Sequence, residues 1–429
     1  MSVKESNSRG SFGVGEGTGI KTPAEKRDYQ RILYLIGMGL FITTIGQPKV
    51  IGRLPFNFML KDELHFNAQQ VASFWALSNF FWYFKPLAGL LCDSVPIFGT
   101  RRRWYLILAA AGSAISWTMF AFLPRTYNAF LGNMLVLSGL MVIASTVVGG
   151  ILVEQGQKYK ATGRITSLRL GLDGVISLIV GPLGGYLASR AFGLTVGIAV
   201  MLLLSLIPVA FFFLHEPSTA QRNSDVWRDA ARQLGVSLRT PTMWWGTLTL
   251  FLFYLSPSLG DTMNFYQSDV LHFSKQFIGN LEMASGIGGI VGALLYGVLC
   301  RKIPLRTLLV IGISVNAIST LSYLAYKTAP LAIFIDLTNG FFSTFAVLPL
   351  FDLAARATPK GSESFGYALM MSVRNLTLFA ISAPLGAYIY EHSGHSINSA
   401  ILISAGTTAL VLLIVPLLPR VMMSQRDGD

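Results

Sequence analysis

Residues 85–103 read KPLAGLLCDSVPIFGTRRR, and this stretch decides the fold. An apolar segment ends at Asp93, and a short turn containing Gly99 leads to three successive arginines. Gly89 permits close approach of another helix, and Asp93 stands at a helix end where the arginines can pair with it. Such a charge-assisted network stabilises one arrangement of helices and has to break when the helices move. An ordinary basic loop is the alternative, but it explains only the arginines and not Asp93.

The composition around this stretch is that of a membrane protein. The chain has 429 residues, of which 52% are hydrophobic and 13% are charged, whereas soluble domains carry roughly 25% charged residues. Its apolar residues occur in blocks of about 18 to 25, the length that crosses about 30 Å of hydrocarbon at 1.5 Å per residue. We therefore predict an all-α membrane protein.

Twelve apolar blocks form two sets of six on either side of a polar central stretch. The first six spans are predicted near 31–57, 69–92, 104–123, 128–153, 164–189 and 194–214, and the second six near 243–268, 275–299, 305–325, 330–352, 364–390 and 397–418. The predicted halves are therefore 31–214 and 243–419.

Three polar segments flank or separate these halves. Residues 1–30 lack the apolar core of a signal peptide and are predicted to be a disordered cytoplasmic tail, and 420–429 a second tail. The central stretch, 215–242, is predicted to be a cytoplasmic linker. It forms either an amphipathic helix at the inner membrane surface or a solvated segment.

The basic residues indicate the orientation. With the N-terminus in the cytoplasm, about 23 of the 33 Lys and Arg fall in tails and inner loops, and about five fall in outer loops. This asymmetry places both termini in the cytoplasm. It also accounts for the formal net charge of +12 without a nucleic-acid partner.

The opening stretch has a weaker copy at the equivalent place in the second half. Residues 297–302 read GVLCRK, with Arg301 where the first copy has Asp93, and Arg306 follows. Six spans, a central loop and six more spans is the layout of two parallel repeats related by an axis along the membrane normal. The first copy resembles the loop signature of the major facilitator superfamily, which implies a transporter with two six-helix halves.

Longer blocks resemble the folate-biopterin transporter family within that superfamily. They are Trp82, 85–91, 93–99 and 101–105; then 256–258, Met263, Phe265, Tyr266, 271–273 and 277–279; then 359–363, 368–373 and Asn375. The resemblance covers almost the whole chain after the tail. It implies uptake of folates or pterins by proton-linked or exchange transport. The chain departs from the family pattern at Thr100 and Arg374, so a different organic anion remains an alternative.

Three charged residues are predicted to lie deep in the membrane and to bind the substrate. Arg169 and Asp173 are four residues apart and share one face of the fifth span, and Arg374 lies at a similar depth in the eleventh. Buried charges are costly and therefore indicate function, and the planar guanidinium group suits a carboxylate. Asp173 is either a proton carrier or the partner that makes Arg169 tolerable.

A second set of residues is predicted to act in gating: Lys85, Gly89, Asp93, Gly99, Arg101, Arg102, Arg103 and Glu154. Lys85 either joins Asp93 in this network or extends its ammonium group to the membrane surface.

Further charges lie toward the outer face. Lys49 and Arg53 flank Pro48, which is predicted to break the first helix and free backbone groups that line a cavity. The acids Asp261, Glu282 and Asp336 belong to an outer gate or are simply exposed to water.

Other classes of function lack support in the sequence. No nucleophile–base set, phosphate-binding glycine loop or metal-ligand spacing occurs, which argues against an enzyme, a cofactor and ATP-driven pumping. The alternatives to folate or pterin transport are transport of another solute and a non-transporting assembly factor on the same fold. We predict a multi-pass protein of a plasma membrane, by default the bacterial inner membrane. Its expected partners are an organic anion, the lipid and, for proton-linked transport, H+. No obligate protein partner is indicated.

Overall fold

The computed structural model describes residues 23–158, 162–214, 225–300, 302–359, 363–419 and 423. Most of both predicted tails and Arg301 lie outside these ranges. The described residues form helices joined by short turns, and these helices group into twelve spans. The names outer and inner for the two ends of the bundle follow the predicted orientation.

Spans 1 to 6 form the first half. Their helices are Pro23–Ile45 and Arg53–Asp62 (span 1); Ala68–Ser78, Phe80–Tyr83 and Lys85–Ser94 (span 2); Arg103–Met119 (span 3); Tyr127–Lys158 (span 4); Thr162–Ala188 (span 5); and Phe192–Phe213 (span 6).

Spans 7 to 12 form the second half. They are Pro241–Tyr254, Thr262–Phe265 and the π-helical turn Tyr266–Val270 (span 7); Lys275–Leu299 (span 8); Leu305–Leu321 and Ser322–Ala325 (span 9); Ala329–Ala357 (span 10); Glu363–Leu376, the π-helical Thr377–Ser382 and Ala383–His392 (span 11); and Asn398–Leu410, Val411–Leu413 and Val415–Leu417 (span 12).

Seven of these spans contain one helical run that is long and apolar enough to cross a membrane, namely 4, 6 and 8 to 12. Spans 1 and 5 contain shorter apolar helices, and spans 2 and 7 are interrupted. In span 1 the helix ends at Ile45, which confirms the predicted break around Pro48. Trp117 of span 3 donates from Nε1 to the oxygen of Gly46 at 3.0 Å and so satisfies one of the freed carbonyls.

Two boundaries differ from the prediction. The first helix begins at Pro23 rather than near residue 31, so the end of the predicted disordered tail is helical. In the central linker the helical alternative is formed, as Asp225–Arg239. Trp227 of this helix donates from Nε1 to the hydroxyl oxygen of Ser94 at 3.1 Å, which attaches the linker to the inner end of span 2.

A repeated turn relates the two halves. Span 1 ends in Leu-His-Phe-Asn and span 7 in Leu-His-Phe-Ser, and His65 and His272 both have positive φ, at 56° and 55°. In each turn the fourth residue caps the next helix, because Asn67 accepts from the N–H of Gln70 and Ser274 from that of Phe277. Equivalent turns at equivalent places support two parallel repeats.

Candidate functional site

A cavity of about 1150 Å³ lies between the two halves. Spans 1 and 5 line it from the first half and spans 7 to 12 from the second. Along span 8 the lining runs from Ile278 to Gly297, and that helix ends at Leu299. The cavity therefore reaches the inner end of the bundle.

A buried carboxylate joins the two halves at the outer end of the cavity. Asp261 of span 7 is only 7% exposed. Its Oδ1 accepts from Arg53 Nε at 2.9 Å and from Asn57 Nδ2 at 3.0 Å, and its Oδ2 lies 3.5 Å from Lys49 Nζ. All three donors belong to span 1. Because Asp261 is buried, removing one partner of this cluster leaves an uncompensated buried charge, which costs more than the loss of a surface ion pair.

Further ion pairs extend this connection. Arg53 Nη1 also lies 3.3 Å from Glu282 Oε1 of span 8. Lys275 Nζ lies 2.6 Å from Asp62 Oδ2, and Lys61 pairs with Asp269. Each pair joins a residue of the first half to one of the second.

The backbones of spans 5 and 8 also touch at this end. A Cβ atom added to Gly279 would lie 2.3 Å from the oxygen of Gly181 and 2.9 Å from the backbone of Gly185. Side chains cannot be accommodated at that separation, so glycine permits the contact. The ion pairs and this contact together close the outer end in the structure.

Two cations line the outer end of the cavity, and two aromatic rings pack against one of them. Lys49 and Arg53 both line it. Lys49 Nζ lies 4.2 Å from the ring centre of Phe379 and 5.2 Å from that of Trp75. These are cation–π distances, and the two cations give the outer end of the cavity a positively charged lining.

The interruption of span 7 supplies polar backbone to the same cavity. Residues 256–260 line it between the helices Pro241–Tyr254 and Thr262–Phe265. Ser258 donates its N–H to the oxygen of Ser382 at 3.1 Å, and the Ser256 hydroxyl donates to the oxygen of Ser404 at 2.9 Å. A broken helix held by its neighbours is how transporters place backbone polar groups at a binding site.

The predicted substrate-binding residues are only partly brought together. Asp173 lines the cavity. Arg374 lies outside the lining, with its guanidinium carbon 4.6 Å from the ring centre of Tyr254 and Nη1 2.9 Å from Asn375 Oδ1. Tyr254 does line the cavity, so Arg374 borders the cavity through this ring. The side chain of Arg169 lies outside the described part of the structure.

Two of the predicted gating residues form an ion pair, Arg102 with Glu154, and both belong to the first half. Lys85 donates to the Ser145 hydroxyl at 3.0 Å, rather than extending to the membrane surface. The side chain of Asp93 lies outside the described part of the structure, so the network predicted around it stays a prediction.

The remaining gating residues lie around this pair. A Cβ atom at Gly89 would lie 3.4 Å from Thr146 of span 4, which fits the predicted close approach of two helices. Gly99 has a φ of 74°, a conformation that suits glycine. Arg103 stacks over Phe211, with its guanidinium carbon 4.5 Å from the ring centre.

Solved structures with a similar shape include transporters of the major facilitator fold. The crystal structure of a D-xylose-proton symporter matches with a TM-score of 0.70 at 14% identity, covering 91% of this chain and 98% of that one. The nucleoside transporter NupG matches with a TM-score of 0.67 at 14% identity, with the same two coverages. The predicted fold class is confirmed. That the protein is a membrane transporter rather than an enzyme follows from the family and the sequence relatives described next.

Sequence relatives specify the family. The profile of the BT1 family matches residues 46–428, and the chain belongs to that family. The folate-biopterin transporter of Synechocystis sp. is 28% identical over 341 residues, which cover 76% of this chain and 69% of the relative. Folate transporter 2 of Plasmodium falciparum is 25% identical over 427 residues, which cover 94% and 92%.

Proposed function

We propose that this protein is a secondary active transporter that moves a folate- or pterin-like organic anion by alternating access. One observation carries the proposal: the cavity between the halves is closed at its outer end by ion pairs that join the halves, while its lining reaches the inner end. This is the geometry of an inward-facing state. Rocking of the halves would break those pairs and open the cavity on the other side.

The chemistry at the outer end of the cavity suits an anion. Lys49 and Arg53 carry two positive charges that are shared with Asp261 and Glu282. A substrate carboxylate can compete for the arginine, whose planar group binds carboxylates through two parallel hydrogen bonds. Trp75 and Phe379 contact Lys49 from outside the cavity lining and so position its ammonium group at the cavity.

The cavity has the size that this substrate needs. Sites for molecules of drug size occupy roughly 300–1,000 Å³, and the cavity measures about 1150 Å³. The names of the Synechocystis and Plasmodium relatives support a folate or a biopterin as cargo. The proposed site also includes a second set of charges, deeper in the membrane than Lys49 and Arg53, formed by Asp173, Arg169 and Arg374. Asp173 of this set lines the cavity.

The cellular setting is part of the same proposal. The charge asymmetry of the loops supports cytoplasmic termini. We place the protein in a plasma membrane, by default the bacterial inner membrane, where a proton gradient is available as the driving force.

Uptake of radiolabelled folic acid into proteoliposomes, with and without an inward proton gradient, tests the function. We expect uptake that the gradient stimulates and that Arg53→Ala abolishes. The matched control is Arg190→Ala, since Arg190 also lies at an outer end but stacks on Tyr186 away from the cavity. Folded protein without folic acid uptake rejects this cargo, and uptake that Arg53→Ala leaves unchanged rejects the site.

A further inference from the structure

One buried carboxyl group of the cavity stands apart from the ion pairs. Asp336 of span 10 lines the cavity and is 8% exposed. Its Oδ1 accepts from the Tyr323 hydroxyl at 2.9 Å and its Oδ2 from the Tyr326 hydroxyl at 2.6 Å. The ion pairs of the described residues do not include Asp336. A charge in such a place is expensive, and binding a proton removes it.

Asp336 is connected to the closed outer end through hydrogen bonds. Gln267 of span 7 donates from Nε2 to the Tyr326 hydroxyl oxygen at 2.7 Å, and the Tyr266 hydroxyl donates to the Tyr326 backbone oxygen at 3.3 Å. Gln267 lies six residues after Asp261, in the segment that carries the carboxylates of the outer ion pairs. A change in the protonation of Asp336 is therefore transmitted to that segment through the side chains of Tyr326 and Gln267.

The other groups facing Asp336 are few. Tyr323 and Tyr326 face it from the end of span 9, and Glu282 acts on it electrostatically from span 8. Glu282 is itself paired with Arg53. Span 7 contributes the neutral Gln267. Within the described ranges no group of three or more His, Cys, Asp or Glu residues is arranged to hold a metal ion.

We propose that Asp336 binds the proton that drives transport and that its protonation state controls the outer end of the cavity. This inference rests on the proposed function and specifies its coupling ion. The ionised carboxylate fixes both tyrosine hydroxyls as donors, which leaves the Tyr326 oxygen free to accept from Gln267. A proton on Oδ2 makes that atom a donor, so the Tyr326 oxygen then accepts from Asp336 as well as from Gln267, and the bond to Gln267 is weakened.

The two protonation states then favour opposite states of the transporter. Ionised Asp336 retains the link to span 7 and the closed outer end that the structure shows. Protonated Asp336 weakens that link and favours opening toward the outside. A proton is therefore taken up while the cavity faces outward and released after it faces inward, which couples an inward proton gradient to import.

A distance measurement that needs no solute tests this inference. Spin labels at Thr126→Cys and Thr328→Cys, one exposed outer-loop position in each half, are attached after the buried Cys92 and Cys300 are replaced by alanine. Pulsed electron paramagnetic resonance in nanodiscs then reports the separation of the outer ends in acid and alkaline buffer. We expect a larger separation in acid, and in Asp336→Asn the acid-like distribution at every pH.

Two further variants make the result specific. Asp352→Asn is the matched control, because Asp352 lies on the same span but pairs with Arg356, with 2.9 Å between Asp352 Oδ2 and Arg356 Nη2. We expect it to keep the wild-type pH response. Tyr326→Phe keeps the carboxyl group but removes the link, so it is expected to lose the response and remains informative if Asp336→Asn does not fold.

Specific results overturn the inference. A wild-type pH response that survives in Asp336→Asn or in Tyr326→Phe removes Asp336 from the coupling. A distance change caused by sodium at constant pH, and lost in Asp336→Asn, assigns the site to sodium instead. Because no solute is present, a failure here is distinct from a failure to transport folic acid.

Discussion

Gly279→Ala is expected to open the outer end of the transporter without unfolding it. The added Cβ atom would lie 2.3 Å from the oxygen of Gly181, and real Cβ contacts essentially never fall below 3.0 Å. Spans 5 and 8 must therefore separate by at least about 0.7 Å at this point. Overpacking of this kind costs roughly 1–3 kcal/mol. The cost falls on the closed state alone, because the two helices part when the outer end opens.

The expected shift in population follows from that cost. About 1–3 kcal/mol changes the ratio of closed to open molecules by roughly 5- to 150-fold. The spin-label pair at positions 126 and 328 measures the ratio directly. We expect the long-distance population to grow in Gly279→Ala by a factor in this range.

Gly297→Ala is the matched control, since it lies on the same helix and its added Cβ atom would have no heavy atom within 4 Å. It is expected to leave the distance distribution unchanged. If Gly279→Ala keeps the wild-type distribution while the protein remains folded, the contact between spans 5 and 8 does not hold the outer end closed. If both variants shift the distribution equally, the effect belongs to the loss of glycine in span 8 and not to the contact.

Three further changes test other parts of the site. Asp261→Asn leaves Lys49 and Arg53 without their shared carboxylate, and such a loss typically costs about 3–5 kcal/mol when the pair is buried. We expect the same spin-label measurement to show a larger separation of the outer ends, and an unchanged separation would contradict the proposed outer gate. Arg374→Ala is expected to raise the KM for folic acid about tenfold, which corresponds to about 1.4 kcal/mol, whereas equal KM values in uptake assays would remove Arg374 from the site. Ser256→Ala loses the hydroxyl that donates to the Ser404 backbone oxygen, and a melting curve in detergent should show that the protein is destabilised by about 0.5–1.5 kcal/mol. An unchanged Tm would show that this hydrogen bond does not stabilise the interrupted helix of span 7.

The fold was predictable because its signals are local. Apolar length marks seven of the twelve spans, Pro48 breaks span 1 where expected, and the positive charges of the loops predict the orientation. The Leu-His-Phe turns at 64–66 and 271–273 also form an internal repeat, which the basic loops of the two halves do not reveal. The start of span 1 at Pro23 was missed because the first turns of its helix are polar.

The site was less predictable because it depends on contacts between residues that lie far apart in the sequence. The position of Asp261 indicated a depth but not that Lys49 and Arg53, more than 200 residues earlier, would surround it. Its burial resolves the choice between a buried cross-half contact and an acid exposed to water. Arg374 matched the depth of Asp173, but depth along a helix does not specify which face points at the cavity, and here the guanidinium group stacks on Tyr254.

Locking the outer end tests the central claim most directly. Cysteines at positions 62 and 275, the sites of a cross-half ion pair, are joined by a reducible cross-linker in protein without its native cysteines, and folic acid uptake into proteoliposomes is measured before and after reduction. Alternating access predicts that uptake stops in the cross-linked protein and returns when the bridge is reduced. Uptake by the cross-linked protein at the rate of the reduced protein would contradict alternating access through this cavity.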